Sequence, residues 1–357
     1  MGIPMEKVQG RGKLQNTPTT RRERWSWYFY DFGNSAYAAV VLLAVYAAYF
    51  KGEVVGGSEG TRLWGISIGI AMLVVAVISP IFGAIADFSG SKKKFLLFFT
   101  LMSVVFTALL FFVMPGQIFT GMLFFILAEI GYRASQVFYN ALLPEVATPE
   151  ELSKVSGKGW AFGSFGGILC LLIVLALITL IGGTFVVRLS FLITAIFYLA
   201  SAIPLFLWLR ERAEPQRVPT GKNIFQVAFE RLGSTFRAVK SYKEFIKFIV
   251  AFLIYNDGIM MTMDYAAIIG AVLFGLGQQE LIIFMIIVQV TSVAGAYLFG
   301  MMAHRWDSKR SLIFSVIMMI GVVIWLLFVD SLTIFYLLGA LAGFALTGVQ
   351  SVSRTMV

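Results

Sequence analysis

Hydrophobic residues occur in this chain as continuous blocks of about 20, and a helix of that length crosses the ~30 Å hydrocarbon core of a membrane. The strands of a membrane β-barrel would instead alternate apolar and polar residues. The fold class predicted is therefore an all-α polytopic membrane protein. Ten blocks predict ten spans: Trp27–Phe50, Leu63–Ala86, Phe95–Met114, Ile118–Tyr139, Trp160–Ile181, Val186–Leu209, Phe245–Phe274, Leu281–Met302, Leu312–Val329 and Leu332–Val349.

A polar segment divides these spans into six and four. Its apolar positions, Ile224, Val227, Ala228 and Phe236, have the spacing of a short amphipathic helix at the membrane surface. The chain is therefore predicted to have four parts. They are a disordered basic cytoplasmic tail (1–24), a six-helix bundle (25–209), a cytoplasmic linker with an amphipathic helix (210–244) and an incomplete second bundle of four spans (245–357).

The composition agrees with a membrane protein, because 59% of the residues are hydrophobic and 13% are charged. A soluble domain has roughly 25% charged residues to cover its surface. Cys170 and His304 are single residues of their types, so neither a disulfide framework nor a Cys/His metal cluster is expected. No cofactor is expected.

Basic residues precede span one and follow spans two, four, six and eight. The positive-inside rule places the N-terminus and these loops in the cytoplasm. The net charge of +9 is explained in this way rather than by nucleic-acid binding. The N-terminal segment lacks the apolar core of a cleaved signal peptide. We expect a multi-pass protein of the cell (inner) membrane, with a vacuole-type membrane as the alternative.

The second part of the chain repeats features of the first. The stretch "GAIADFSGSKKK" between spans two and three corresponds to "GMMAHRWDSKR" between spans eight and nine, and "YDFG" in span one corresponds to "YNDG" in span seven. Two six-span halves joined by a cytoplasmic linker are typical of transporters. This repeat predicts that two C-terminal spans are missing, and the alternative is a natural ten-span protein.

The loop after span two matches G-x-x-x-D-x-x-G-x-[KR]-[KR]. In this pattern a glycine lets two helices approach closely, the aspartate accepts hydrogen bonds at the N-terminus of a neighbouring helix, and a second glycine permits a tight turn. The second copy has His304 in place of the aspartate. The predicted gating residues are Gly83, Asp87, Gly90, Lys92 and Lys93 in the first copy and Arg305, Lys309 and Arg310 in the second.

This loop resembles the signature loop of the major facilitator superfamily, with Phe88 in place of the usual basic residue. The stretches "YDFGNSAY", "SPIFGAIAD", "FYNALLPEV", "VSGKGWAFGSFGG", "YNDGI" and "GVQSVSR" narrow the resemblance to its vacuolar-effluxer-like branch, which is named for autophagy-related amino-acid effluxers. The resemblance implies a major-facilitator fold of two six-helix bundles and a transport function, with amino-acid efflux favoured.

Polar residues inside the spans are the candidates for a site. An ionised side chain facing lipid costs at least ~2.5 kcal/mol, so such residues are expected to face one another or a wet cavity. We predict one polar cavity shared by spans one, four and seven. The candidates for substrate or proton binding are Asp31, Asn34, Glu129, Arg133, Gln136, Asn140, Asn256, Asp257 and Asp264.

Each of these charged residues also has a simpler interpretation. Asp31 is close enough to the tail to pair with one of its arginines, and Glu129 and Arg133, four residues apart, could form a closed structural pair. Asp264 could be solvated near the outer interface. Asp257, close to mid-bilayer without a basic neighbour in its span, is the hardest to explain structurally and is the first candidate for proton coupling.

Two sets of glycines have the four-residue spacing that allows transmembrane helices to pack backbone to backbone. They are Gly159, Gly163 and Gly167 in span five and Gly65 and Gly69 in span two. Two interpretations are open, a sliding seam between the two halves and ordinary packing inside one bundle.

The chain contains no G-x-x-x-x-G-K-[ST], G-x-S-x-G or H-E-x-x-H motif, so we expect neither an enzyme nor a nucleotide-driven pump of that type. The leading hypothesis is a secondary transporter of a small polar or zwitterionic metabolite, coupled to protons. The alternative is a non-transporting receptor or scaffold with a transporter fold. The expected partners are a small-molecule substrate, protons and the lipid bilayer, without nucleic acid or an obligatory protein partner.

Overall fold

The computed structural model describes residues 19–148, 151–212, 242–305 and 308–356, with positions 226, 229, 230 and 233 between them. These residues form helices and no strands, and the ten predicted spans are confirmed as ten helices long and apolar enough to cross a membrane. The helices are α1 (Arg21–Val55), α2 (Gly57–Ser89), α3 (Lys92–Phe112), α4 (Ile118–Ala141), α5 (Leu152–Leu180), α6 (Thr184–Trp208), α7 (Lys243–Phe274), α8 (Gln278–Arg305), α9 (Ser308–Leu326) and α10 (Leu332–Met356).

Helix α1 begins before the first apolar block, at Arg21. The Thr20 hydroxyl accepts from the Glu23 N–H at 3.3 Å, and the Glu23 carboxylate accepts from the Thr20 N–H at 2.9 Å. This reciprocal capping box satisfies two backbone donors that the helix itself leaves open. The end of the predicted disordered tail is therefore helical, and residues 1–18 lie outside the described part of the chain.

The geometry of α1 changes twice along its length. Two stretches, Ala38–Ala44 and Phe50–Val55, are π-helical, and the first of them packs against α7 and α8. Such local widening of an α-helix is frequent at functional positions. The helix also continues to Val55, five residues beyond the predicted end of the span.

The two halves of the chain use the same helix pairs. In the first half α4 packs against α2 and α3, and in the second half α10 packs against α8 and α9. Helix α1 packs against α5 and α6. In the most apolar stretch of α1 67% of the residues are buried, against 6% in that of α7. The expected counterparts of α5 and α6 beside α7 remain a prediction.

The glycines of α5 contact mainly their own bundle. A Cβ on Gly159 would collide with the Trp27 ring, and a Cβ on Gly166 would collide with the Phe32 carbonyl group. Gly167 differs, because a Cβ there would lie 3.0 Å from Nε2 of Gln289 in α8. Close packing within one bundle therefore explains most of this stripe, and the seam between the bundles passes at Gly167.

The seam is also visible at Gly65 of α2, where a Cβ would collide with the Tyr265 hydroxyl of α7. A Cβ on Gly69 would have no heavy atom within 4 Å, so the structure assigns no close approach to this glycine. Gly65 lies near the end of the bundles opposite to the N-terminus. We refer to the end with the N-terminus and the lysine-rich loops as the basic end.

Substitution of Gly166 by alanine should separate α1 from α5. The new methyl group meets backbone atoms of Phe32, which cannot move without moving α1, and overpacking of this kind costs about 1–3 kcal/mol. The melting temperature of the purified protein in detergent should fall. Gly157→Ala in the same helix is the control, because open space surrounds Gly157. Equal melting temperatures for the two variants would contradict the expected clash.

Candidate functional site

A buried ion pair lies near the middle of α4. Arg133 Nε donates to Glu129 Oε1 at 2.6 Å, and the hydroxyl of Tyr37 in α1 donates to Glu129 Oε2 at 2.9 Å. The Glu129 side chain is fully buried, whereas that of Arg133 is 21% exposed. The guanidinium group also lies 5.7 Å from the ring centre of Tyr132. Glu129 is thus balanced by one cation and one hydroxyl donor, as a buried carboxylate requires.

A second buried polar cluster lies beside this pair. Asn34 of α1 donates to the Tyr198 hydroxyl of α6 at 3.0 Å and accepts from Gln136 of α4. The Tyr198 hydroxyl is 2.9 Å from that of Tyr30, which in turn lies 2.7 Å from the Thr100 hydroxyl of α3. One hydrogen-bond network therefore connects four helices of the first bundle.

The polar face of α4 opens progressively toward the basic end. Glu129 is fully buried, Arg133 and Gln136 are partly exposed, and Asn140 is exposed. These residues are spaced three or four apart, so they lie on one face of the helix. We call this face the α4 polar stripe. It connects the ion pair near mid-membrane with the basic end.

The remaining candidates lie in α1 and α7. Asp31 is half-buried and packs against Gly163 of α5. A Cβ built at Gly163 would lie only 2.6 Å from Oδ2 of Asp31. In α7 Asn256 is half-buried and Asp257 is exposed, and the side chain of Asp264 lies outside the described part of the structure. The structure thus brings spans one and four together, but no described hydrogen bond joins the polar residues of span seven to them.

The loop after α2 turns as its sequence predicts, since Gly90 ends the helix with φ 59°. The role expected for Asp87 needs correction. Its side chain is 63% exposed and lies 3.4 Å from Lys92 Nζ, while the N-terminus of α3 is capped by Glu211. The Glu211 carboxylate accepts the backbone N–H groups of Lys92 at 2.5 Å and Lys93 at 3.3 Å.

Gly83 also differs from its prediction. No heavy atom lies within 4 Å of a Cβ built at Gly83, so the described structure has no close helix approach there. The lysines, in contrast, are anchored. Lys93 Nζ donates to the Leu209 carbonyl at 2.6 Å, and Lys92 Nζ lies 3.4 Å from a Glu145 carboxylate oxygen.

The first residues of the predicted linker belong to the first bundle. Arg212 is buried, and its guanidinium group donates to both carboxylate oxygens of Glu23 at 3.0 and 2.9 Å and to the Glu145 carbonyl at 2.9 Å. Burial raises the pKa of the Glu211 carboxyl group, against the opposing effect of the N–H donors of α3. We call Glu23, Lys92, Glu145, Glu211 and Arg212 the basic-end clasp.

The second copy of the loop is only partly described. Helix α8 ends at Arg305, whose side chain lies outside the described residues, and Lys309 and Arg310 are exposed at the start of α9. The predicted amphipathic helix of the linker falls on residues that are for the most part not described. Among the side chains that are, no group of three His, Cys, Asp or Glu residues could hold a metal ion.

Comparison with known proteins assigns the chain to a family. The sequence profile of the family described as "Vacuole effluxer Atg22 like" matches residues 63–357. The chain belongs to this family. It is 29% identical to the uncharacterized MFS-type transporter YxiO of Bacillus subtilis (strain 168) over 347 residues, covering 94% of this chain and 80% of YxiO. It is 25% identical to autophagy-related protein 22 of Coccidioides immitis (strain RS), covering 80% of this chain and 60% of that protein.

Solved structures show the same fold for this Atg22-like protein. The nucleoside transporter NupG superposes with a TM-score of 0.64 at 14% identity, covering 94% of this chain and 82% of NupG. The xylose transporter XylE from E. coli, in a partially occluded inward open conformation, superposes with a TM-score of 0.59 at 16% identity. This superposition covers 94% of this chain and 84% of XylE. This Atg22-like protein is thus a multi-pass membrane protein with a major-facilitator fold, and its family and structural relatives are transporters, not enzymes.

Several polar residues of the Atg22-like protein were missed by the sequence analysis. Tyr30 and Tyr37 flank Asn34 at four and three residues, so their position on one face of α1 was a usable signal. Ser135 lies 3.4 Å from the Tyr198 hydroxyl. Tyr198 and Thr100 are two of several hydroxyl-bearing residues in otherwise apolar helices, and no pattern in the sequence distinguishes them.

Replacement of Glu211 by glutamine should destabilise the Atg22-like protein more than Asp87→Asn does. Glutamine loses the charge that favours a carboxylate at a helix N-terminus, worth about 0.3–2 kcal/mol. The Asp87 carboxylate is exposed in its pair with Lys92, and a pair screened by solvent contributes about 0–1 kcal/mol. Thermal unfolding in detergent measures both. If Asp87→Asn lowers the melting temperature more than Glu211→Gln does, Asp87 and not Glu211 has the helix-capping role.

Proposed function

We propose that this Atg22-like protein is a secondary active transporter of a small polar or zwitterionic metabolite, with amino acids the first candidates, driven by protons. The observation that carries the proposal is the Glu129–Arg133 pair at the buried end of the α4 polar stripe. A charged pair at this depth costs desolvation energy, which is a reason to expect a functional role. The site offers a guanidinium group suited to a substrate carboxylate.

Proton coupling would result if the Glu129 carboxylate and a substrate carboxylate compete for Arg133. While Glu129 is ionised, it occupies the Nε donor of Arg133. Protonation of Glu129 removes the charge of this partner, so a substrate carboxylate could take its place on the guanidinium group. Release of the proton would restore the internal pair and expel the substrate. Proton and substrate would thus be linked at one site.

The seam supports alternating access. The contact of Gly167 with Gln289 lies near the middle of the bundles. The contact of Gly65 with Tyr265 lies in the half opposite to the basic end. The α4 polar stripe, in contrast, becomes exposed toward the basic end. With the basic end in the cytoplasm, this arrangement corresponds to a site that loads from the cytoplasm. Efflux is the direction that we favour, in agreement with the family.

Proteoliposomes containing the purified protein test this proposal. A panel of labelled amino acids is presented with and without a pH gradient, and the expected result is gradient-dependent movement of at least one of them. Vesicles with the gradient collapsed by an ionophore are the control. Movement of a substrate at the same rate with and without the gradient would contradict proton coupling, and movement of nucleosides or sugars alone would contradict the substrate class.

A further inference from the structure

A cavity of about 570 Å³ lies between α1 and α5 at the basic end. It combines three cationic side chains with four aromatic rings. The residues that line it are Arg21, Arg24, Trp25, Tyr28, Lys158, Ala161, Phe162 and Phe165. None of them belongs to the α4 polar stripe or to the network around Asn34, so this cavity is separate from the proposed transport site.

The cavity lies on the perimeter of the first bundle. Gly167 faces α8 across the seam, and Phe165, two residues earlier, lies about 200° away around a helix of 3.6 residues per turn. Phe165 is 55% exposed. An aromatic cluster continues from Phe162 through Phe32 to Phe197 of α6, with ring centres 4.9 and 5.2 Å apart. The cavity is thus continuous with an aromatic cluster on the side of the bundle away from the seam, which is the side where lipid is expected.

The charges of the cavity are not balanced. Arg24 pairs with Glu151. Arg21 and Lys158 are both exposed, and neither has an acidic partner among the described residues. They lie within a few residues of the apolar blocks that begin at Trp27 and Trp160. The surplus positive charge is therefore at the level of the membrane surface, with aromatic rings directly beneath it.

We propose that this cavity binds the headgroup of an anionic phospholipid from the leaflet at the basic end. The phosphate would lie between Arg21 and Lys158, and an acyl chain would pack along the aromatic cluster of α1, α5 and α6. Clusters of Lys and Arg beside a membrane helix attract anionic lipids, and Trp and Tyr favour the headgroup region. Surface attraction alone would require no cavity, whereas this one is large enough for a headgroup.

Lipid binding to the purified protein in neutral detergent tests the proposal, and it needs no transport activity. Phosphatidylglycerol, phosphatidylcholine and inorganic phosphate are added separately, while native mass spectrometry counts retained lipids and thermal unfolding reports stabilisation. We expect phosphatidylglycerol to be retained and to raise the melting temperature, with little effect of phosphatidylcholine. Stabilisation by inorganic phosphate equal to that by phosphatidylglycerol would identify a simple anion site and overturn the assignment to lipid.

The double variant Arg21→Gln/Lys158→Gln should weaken phosphatidylglycerol binding about thirtyfold, the loss expected for two cationic contacts. The matched control, Lys94→Gln/Lys243→Gln, removes the same charge from exposed lysines at the basic end. Equal binding by both double variants would refute the site. Misfolding is excluded if, in the presence of phosphatidylcholine, the double variant has the same melting temperature as the unmodified protein. If its melting temperature is lower, a second variant is used. Ala161→Trp fills the cavity while keeping both cations, and the proposal requires that it also weakens phosphatidylglycerol binding.

Discussion

Replacement of Glu129 by glutamine is expected to reduce gradient-driven transport at least tenfold while substrate exchange partly survives. Glutamine keeps the size of the side chain and can still accept from the Tyr37 hydroxyl, which lies 2.9 Å from Glu129 Oε2. It cannot release a proton or neutralise Arg133. Because exchange moves no net proton, it tolerates a permanently neutral residue. Uptake and counterflow in proteoliposomes, each measured from pH 5 to 8, separate the two activities.

Two further variants sharpen this experiment. Glu59→Gln removes an exposed carboxylate that pairs with Arg62 at the other end of the bundle, and it should leave transport unchanged. Asp257→Asn tests the residue that the sequence alone ranks first for coupling. If Asp257→Asn abolishes the response to the gradient while Glu129→Gln keeps the original rate and pH profile, the coupling site lies in α7 and our proposal fails.

A structural role for the ion pair makes a different prediction. Removing one partner of a buried pair leaves an uncompensated charge, at a cost of about 3–5 kcal/mol, whereas removing both is often tolerated. The double variant Glu129→Gln/Arg133→Gln should therefore recover the melting temperature lost by Arg133→Gln. If the pair serves transport, activity remains lost in this double variant. Recovery of both stability and transport would show that the pair is structural.

The second large effect is expected at Arg212. Replacement of this residue by methionine should destabilise the protein by about 3–5 kcal/mol, because it leaves the carboxylate of Glu23 buried without its cation. The side chains of Arg212 and Glu23 are only 8% and 5% exposed, so water cannot take over the lost hydrogen bonds. Thermal unfolding in detergent should show the loss as a fall in melting temperature of several degrees.

Arg210 offers a matched control for this substitution. It is an exposed arginine two residues away, and its backbone N–H, which donates to Glu23 at 3.2 Å, survives any change of its side chain. Arg210→Met should therefore melt close to the unmodified protein. Adding Glu23→Gln to Arg212→Met should recover part of the loss. A melting temperature of Arg212→Met equal to that of Arg210→Met would show that the clasp contributes no stability.

Much of the fold could be predicted because membrane-spanning helices are local. Each backbone group bonds within its own helix, so span length and hydrophobicity are readable one block at a time. The ten spans and the all-α class were correct for this reason. The ion pair of Glu129 and Arg133 was readable too, because residues four apart on a helix are neighbours. The loop pattern after span two pointed to the right superfamily.

The partners of the polar residues depended on the tertiary structure. The position of Asp87 in the motif predicted a helix cap, but the segment that follows α6 brings Glu211 to that N-terminus instead. Tyr198 meets Asn34 and Tyr30 because α6 packs against α1, a contact between residues more than 160 positions apart. Depth in the membrane, in turn, did not determine burial. Asp257 is central in its span and yet exposed.

The sequence by itself thus determined the helices, the family and one helix face of the site, all of which depend on spacing along a single segment. Only the tertiary structure decided which of the polar residues meet, which glycines face the seam and which charges are buried. These properties depend on how distant helices pack, and a buried polar group is stable only with partners that packing brings to it. Glu129 and Asp257 differ in this respect, although both are carboxylates near the middle of a span.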